Sequence, residues 1–338
     1  MSRIKTSVSL YSLQYQYMNG KMNLEDIFRY MKELGVEGIE ILPDQMLRGA
    51  PMLSEEIYKE WNRLVEKYDL GLACADVFLN TNLYKNRELT KRECVELIKK
   101  EIVMAHNLGF KVLRLVSRVP SWILEPCLKT AEKCDVSMCI EIHGGLAFGV
   151  KKTEDFLAEM IRLNSPYIGI VPDASIFCRR VPRIMDEYCR QVYSTNEELI
   201  GYVSEVFAQG SDLFALGEGR GLDMDPKLKS LIKDPGKDLF YASNVNGYEN
   251  CDVSCLDPYV KYIKHFHFKL FEITEDGTEY SIDYKEILEY LHKHNYDGYV
   301  ATEYEGNRWI LPGVEIPEKE QVEKHQALLK KYLIEIQG

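Results

Sequence analysis

Glu141 and His143 stand two residues apart at the end of an apolar run, Cys139-Ile140-Glu141-Ile142-His143. In a strand this spacing puts both side chains on one face. A carboxylate and an imidazole that project together can hold a divalent cation or move a proton. Gly144-Gly145 then turns the chain sharply. Three later apolar runs end in the same manner. Residues 167–171 lead into Pro172-Asp173. Residues 262–268 carry His265 and His267 on one face, with Lys269 two positions further along that face. Residues 299–303 end at Glu303, with Glu305 beyond it.

These runs belong to a longer rhythm. Strands are expected at 8–12, 36–42, 70–79, 111–116, 136–141, 167–171, 262–268 and 299–303. Helices are expected at 24–34, 54–68, 90–108, 120–134, 153–163, 283–294 and 318–334. Asn23 and Ser54 are placed to cap the first two, and Gly35 and Gly109 to stop the first and third. Eight strands alternating with helices call for α/β architecture, a parallel sheet closed into a (β/α)8 TIM barrel. An open doubly wound sheet would want a Gly-rich phosphate turn after an early strand, and none follows Val8-Ser9-Leu10-Tyr11-Ser12. The expectation is one barrel domain over residues 1–338. Residues 174–258 break the rhythm: no clean strand, one helix near 196–209, and several Gly/Asp/Pro-rich turns. That span is too long for an ordinary barrel loop. It is read as an insertion after strand six that forms a lid, a pocket for part of a substrate or a subunit interface. Its aromatic residues Phe177, Tyr188, Tyr193, Phe207, Phe214, Phe240, Tyr241 and Tyr248 suit the last two.

In such a barrel the C-terminal strand ends gather at one mouth, where chemistry sits. Glu141, Asp173, His267 and Glu303 would then meet. Three oxygen donors and one imidazole suit Mn²⁺ best, with Mg²⁺, Co²⁺ and Zn²⁺ as further options. Without a cation, three carboxylates in one mouth would repel one another. Taken singly, Asp173 could be a solvated loop residue, and either strand-seven histidine a hydrogen-bonded core residue. His267 lies nearer the mouth and is the better ligand. His265, Lys269 and Glu305 are candidate substrate contacts, with a core role open for His265 and a rim role open for Glu305.

The bulk composition narrows the partners. The 338 residues are 46% apolar and 28% charged with a formal net charge of −11, which argues against a nucleic-acid groove or an anionic membrane surface. No apolar run is long enough to span a bilayer, and Met1-Ser2-Arg3-Ile4-Lys5-Thr6 does not look like a signal peptide. Nine scattered cysteines without a C-x-x-C pair read as reduced thiols in a cytoplasmic protein.

At Glu141, Asp173, His267 and Glu303 the chain resembles the xylose-isomerase-like barrel superfamily of sugar isomerases, ketose epimerases and apurinic-site endonucleases. By that likeness these four residues are the metal ligands. The endonucleases carry extra histidines from earlier strands, and strands one to four here have none. Ketose 3-epimerases usually carry a histidine three residues after the Asp, and here that position is Ile176. Within the superfamily, Val8-Ser9-Leu10-Tyr11-Ser12-Leu13, Met104-Ala105-His106-Asn107-Leu108-Gly109 and above all Glu141-Ile142-His143 resemble the α subunit of bacterial C-glycoside deglycosidases.

That resemblance implies a lyase acting on a 3-oxo-glycoside. The metal would polarise the sugar's carbonyl and neighbouring hydroxyl. His143 would take the C2 proton, and elimination would then expel the aglycone from C1 by cleaving a C–C or C–O bond. A role for His143 in orienting Glu141 is the competing reading. The resemblance also implies a small β subunit in a hetero-oligomer. Because the same first proton abstraction begins isomerisation and epimerisation, a metal-dependent isomerase or epimerase of a ketose or keto-sugar is the alternative. A sugar-binding barrel without turnover is the second alternative.

Overall fold

The computed structural model describes residues 3–116, 119–210 and 225–338. Eight strands run β1 Lys5–Ser9, β2 Gly38–Ile41, β3 Gly71–Val77, β4 Val112–Leu115, β5 Ser137–Ile142, β6 Ile168–Pro172, β7 Phe266–Leu270 and β8 Tyr299–Tyr304. All neighbouring pairs are parallel, in the order β6-β5-β4-β3-β2-β1-β8-β7. The ends of this sheet meet through two isolated parallel bridges, Ile170 with Ile263 and Asp173 with His267. The expected (β/α)8 barrel is therefore what the chain forms, with its seam between β6 and β7.

The local signals act as their chemistry requires. Asn23 and Thr90 each make a capping box with the third helical residue, Asp26 and Glu93, and so start helices Leu24–Glu33 and Lys91–Leu108. Ser54 precedes helix Glu55–Tyr68 without a side-chain cap bond. Gly109 closes Lys91–Leu108 in the left-handed conformation. The seventh strand lies further along the chain than residues 262–268, so Lys269 is a strand residue and not a loop residue.

Alternation within the strands separates two chemistries. Along β7, Phe266, Phe268 and Leu270 are fully buried, and Phe268 packs against Tyr284 of helix Tyr284–Lys293. His267 and Lys269 occupy the opposite face and meet the carboxylates of other strands inside the barrel. Apolar side chains thus hold the helices to the barrel, while its interior carries charge.

Residues 174–258 contain no strand among the described residues, as expected. They hold more helix than the single segment read from the sequence: Arg183–Tyr188, Glu197–Ala208, Pro226–Leu231 and Pro235–Val245. Two of these start at Asp-Pro pairs, Asp225-Pro226 and Asp234-Pro235, whose aspartates accept from backbone N–H groups as caps. Each pair is a helix-start signal legible in the sequence. Phe214 of the expected aromatic set, like Met1 and Ser2, lies outside the described residues. No helix among the described residues is long and apolar enough to cross a membrane.

Candidate active site

Glu141 from β5, Asp173 just past β6, His267 from β7 and Glu303 from β8 converge at the C-terminal end of the barrel. One donor atom from each lies within 4.8 Å of the others, and all four residues are buried. His267 Nδ1 is the common neighbour. It lies 3.3 Å from Glu141 Oε1, 3.2 Å from Glu303 Oε2 and 3.8 Å from Asp173 Oδ2. Three carboxylates and one imidazole around one point form a donor set suited to a divalent cation, and this cluster fits such an ion.

Two buried cations serve the same carboxylates. Lys269 Nζ lies 2.6 Å from Glu303, 3.1 Å from Asp173 and 3.2 Å from Glu305. Arg114 of β4 donates to Glu141 Oε1 at 2.5 Å and to Asp76 Oδ1 of β3 at 2.5 Å. Burial pushes the Glu303 carboxyl upward, but Lys269, His267 and Arg114 outweigh it and hold Glu303 well below the usual carboxylate range. For Asp173 the balance is opposite: desolvation outweighs Lys269 and raises its pKa.

A cavity of about 370 Å³ opens above this cluster. Its charged floor includes Arg114, Glu141, Lys269 and Glu303, with His143 and Ser175 beside them. Phe78, Tyr248, Phe271 and Trp309 supply aromatic wall, and Glu305, Tyr11 and Arg308 sit toward the rim. His143 is half-buried just beyond β5. Its Nδ1 lies 2.7 Å from the Gly144 carbonyl oxygen. A carbonyl only accepts, so Nδ1 carries the proton and Nε2 of the neutral ring bears a lone pair.

The turn after β5 depends on its glycines. A Cβ on Gly144 would collide with the carbonyl oxygen of Gly247, and Gly145 has φ +78°. Gly144 N–H also donates to Ser175 Oγ at 3.0 Å. This close approach brings Asn246, Gly247 and Tyr248, which follow helix Pro235–Val245, onto the cavity wall. Of the aromatic residues expected to matter in this span, Tyr248 lines the cavity. Tyr193 and Phe240 stack with centroids 4.4 Å apart, and Phe240 meets Trp309 edge-on at 6.2 Å.

The remaining expected residues separate. Glu305 accepts from Lys269 and from Arg308 at 2.8 Å and lines the cavity. His265 is fully buried, does not line the cavity, and meets Glu40 Oε2 at 2.7 Å. Ile176, where ketose 3-epimerases carry histidine, is buried in a one-turn helix. Sequence reasoning passed over Glu40, Asp76 and Arg114. Each is a lone charged residue on a short apolar strand, without a second polar residue at the strand end such as His143 provides beside Glu141.

Comparison with known proteins follows the same line. The xylose isomerase-like TIM barrel family model matches residues 28–176. The 3'-dehydrocarminate deglycosidase alpha subunit of a Microbacterium species is 28% identical over 323 residues, covering 90% of this chain and 89% of the relative. The C-glycoside deglycosidase alpha subunit of Arthrobacter globiformis is 26% identical, covering 89% and 84%. Among solved structures, a sugar phosphate isomerase/epimerase from Parabacteroides distasonis superposes with a TM-score of 0.55 at 16% identity, covering 98% of this chain and 94% of that one. The resemblance read from the sequence, to the barrel family and to the deglycosidase α subunits, is the one these comparisons find.

Proposed function

From that likeness, we propose that the chain is the α subunit of a divalent-metal-dependent lyase that removes the aglycone from 3-oxo-glycosides. The observation that carries this reading is the placement of His143 and Glu141 on one cavity. His143 thereby lines the same cavity as Glu141 and Glu303 of the donor set and the aromatic residues Phe78, Tyr248, Phe271 and Trp309. The names of the relatives support it.

Glu141, Asp173, His267 and Glu303 would hold the cation, Mn²⁺ by preference. When bound, it supplies Lewis acidity toward the sugar's C3 carbonyl and an adjacent hydroxyl. Nε2 of His143 takes the proton from C2. The electron pair left behind forms the C1–C2 double bond as the bond from C1 to the aglycone breaks. The departing aglycone carbon must gain a proton, which a phenolic ring accepts readily at that position. Arg114 favours the ionised form of Glu141, and Lys269 with Arg114 that of Glu303, and Glu305 and Lys269 stand where sugar hydroxyls would bind. Phe78, Tyr248, Phe271 and Trp309 would pack on the aglycone ring, with Asn244, Asn246 and Gly247 completing that end of the pocket. A smaller β subunit completes the proposed assembly, because the relatives are named alpha subunits.

The test is an NMR time course in D₂O with Mn²⁺-loaded protein, a 3-oxo-C-glucoside in one tube and simple ketoses in others, each with an EDTA control. Metal-dependent release of free aglycone is the expected result. Deuterium entering beside the carbonyl, with epimer or isomer and no aglycone, would overturn the lyase reading in favour of an epimerase or isomerase.

A further inference from the structure

We infer that Glu40 is a positioning residue: it fixes which imidazole nitrogen His267 turns toward the donor set. This rests on the metal reading proposed above. Glu40 lies on β2 and is fully buried. A single oxygen, Oε2, reaches two histidines across the barrel, at 2.7 Å from His265 Nε2 and 2.8 Å from His267 Nε2.

The chemistry of that oxygen decides the tautomers. A carboxylate oxygen accepts and does not donate, so both Nε2 atoms carry protons. In the neutral form that would bind a cation, the His267 ring then presents its lone pair at Nδ1. On the other side of the ring Nδ1 meets both kinds of partner, an Arg114 guanidinium nitrogen that only donates at 3.1 Å and Glu303 Oε2 that only accepts at 3.2 Å, so the assignment rests on Glu40. Nδ1 is also the atom that the carboxylates of Glu141, Asp173 and Glu303 surround.

Sharing one oxygen links the two rings mechanically. Their centroids are 5.5 Å apart and their planes perpendicular, so rotation of His267 would break its bond to Glu40 and press on His265. His265, expected as a substrate contact, thereby gains a role without touching the cavity. Both histidines are fully buried, which leaves no solvent to replace a lost acceptor. Residues that bond the far nitrogen of a ligating histidine set ring orientation and ligand basicity elsewhere in metal sites. Here the acceptor comes from a strand that supplies none of the four donors.

Two measurements on the folded full-length protein decide the matter. In Zn²⁺-loaded protein labelled with ¹⁵N-histidine, long-range ¹H–¹⁵N correlation should show His267 protonated at Nε2 with a metal-shifted Nδ1. Coordination through Nε2 would overturn the proposal, and this readout needs no variant. In calorimetric titration, Glu40→Gln should bind Mn²⁺ about 10- to 100-fold more weakly than wild type, with unchanged circular dichroism. Its amide can turn an N–H toward the two Nε2 atoms and so disturb the tautomers. Wild-type affinity in a folded Glu40→Gln would overturn the proposal and leave the metal reading standing. Wild-type protein that binds neither ion would remove the metal reading itself and the proposal with it.

Discussion

Asp173 and His267 face each other across the barrel's seam, joined by a parallel backbone bridge and with Oδ2 3.8 Å from Nδ1. The strands on either side are far apart in sequence, with residues 174–258 between them. The geometry of this pair therefore depends on how the barrel closes. Asp173→Asn keeps the shape but removes a charge from the donor set. Calorimetric titration with Mn²⁺ should show at least about a 100-fold loss of affinity, with aglycone release falling in step. Binding at wild-type strength would exclude Asp173 as a ligand.

The proposed base, His143, separates from the proposed ligands by its effect. His143→Ala removes the Nε2 acceptor and leaves the four donors in place. Mn²⁺ affinity should change by less than about threefold, while turnover drops by roughly 10²- to 10⁴-fold, the usual contribution of a general base. Loss of deuterium exchange at C2 would assign the step. If metal affinity collapses along with turnover, His143 acts instead by orienting Glu141.

Gly144 tests the contact between the strand-five turn and the segment that follows helix Pro235–Val245. An alanine there would push back Gly247, and Asn246 and Tyr248 with it. Gly144→Ala should raise KM for the glycoside several-fold, with Mn²⁺ affinity unchanged. An unchanged KM would mean that this wall does not touch substrate.

Glu101 provides a pH-dependent stability effect away from the site. It is 2% exposed on helix Lys91–Leu108, its Oε2 has no hydrogen-bond partner, and burial, with Asp44 adding, raises its pKa from 4.5 to about 8. A carboxyl raised on folding binds its proton more tightly in the native state. Its favourable contribution is complete below pH 4.5 and is lost as pH rises toward 8. Glu101→Gln removes that loss. Urea unfolding should show the variant gaining on wild type by about 2 kcal/mol or more between pH 5 and pH 9. A difference that is flat with pH would refute the assignment.

Much of this protein is written locally. Short apolar runs marked the strands and Asn23, Thr90 and Gly109 the helix ends, because neighbours a few residues apart decide both. The two-residue period of a strand placed Glu141 beside His143, and His265, His267 and Lys269 on one face. Tertiary structure decided what those faces meet. Nothing near Glu40, Asp76 or Arg114 in sequence indicates that Glu40 reaches His267, Arg114 reaches Glu141 and Asp76 reaches Arg114 from another strand, since those distances exist only once the sheet closes. Closure also set the meeting of Asp173 with His267 at the seam. It brought Gly247 against Gly144, a contact that carries Tyr248 to the cavity. Sequence spacing fixes the direction of a side chain from its strand, and only the closed barrel sets the distance to the groups opposite.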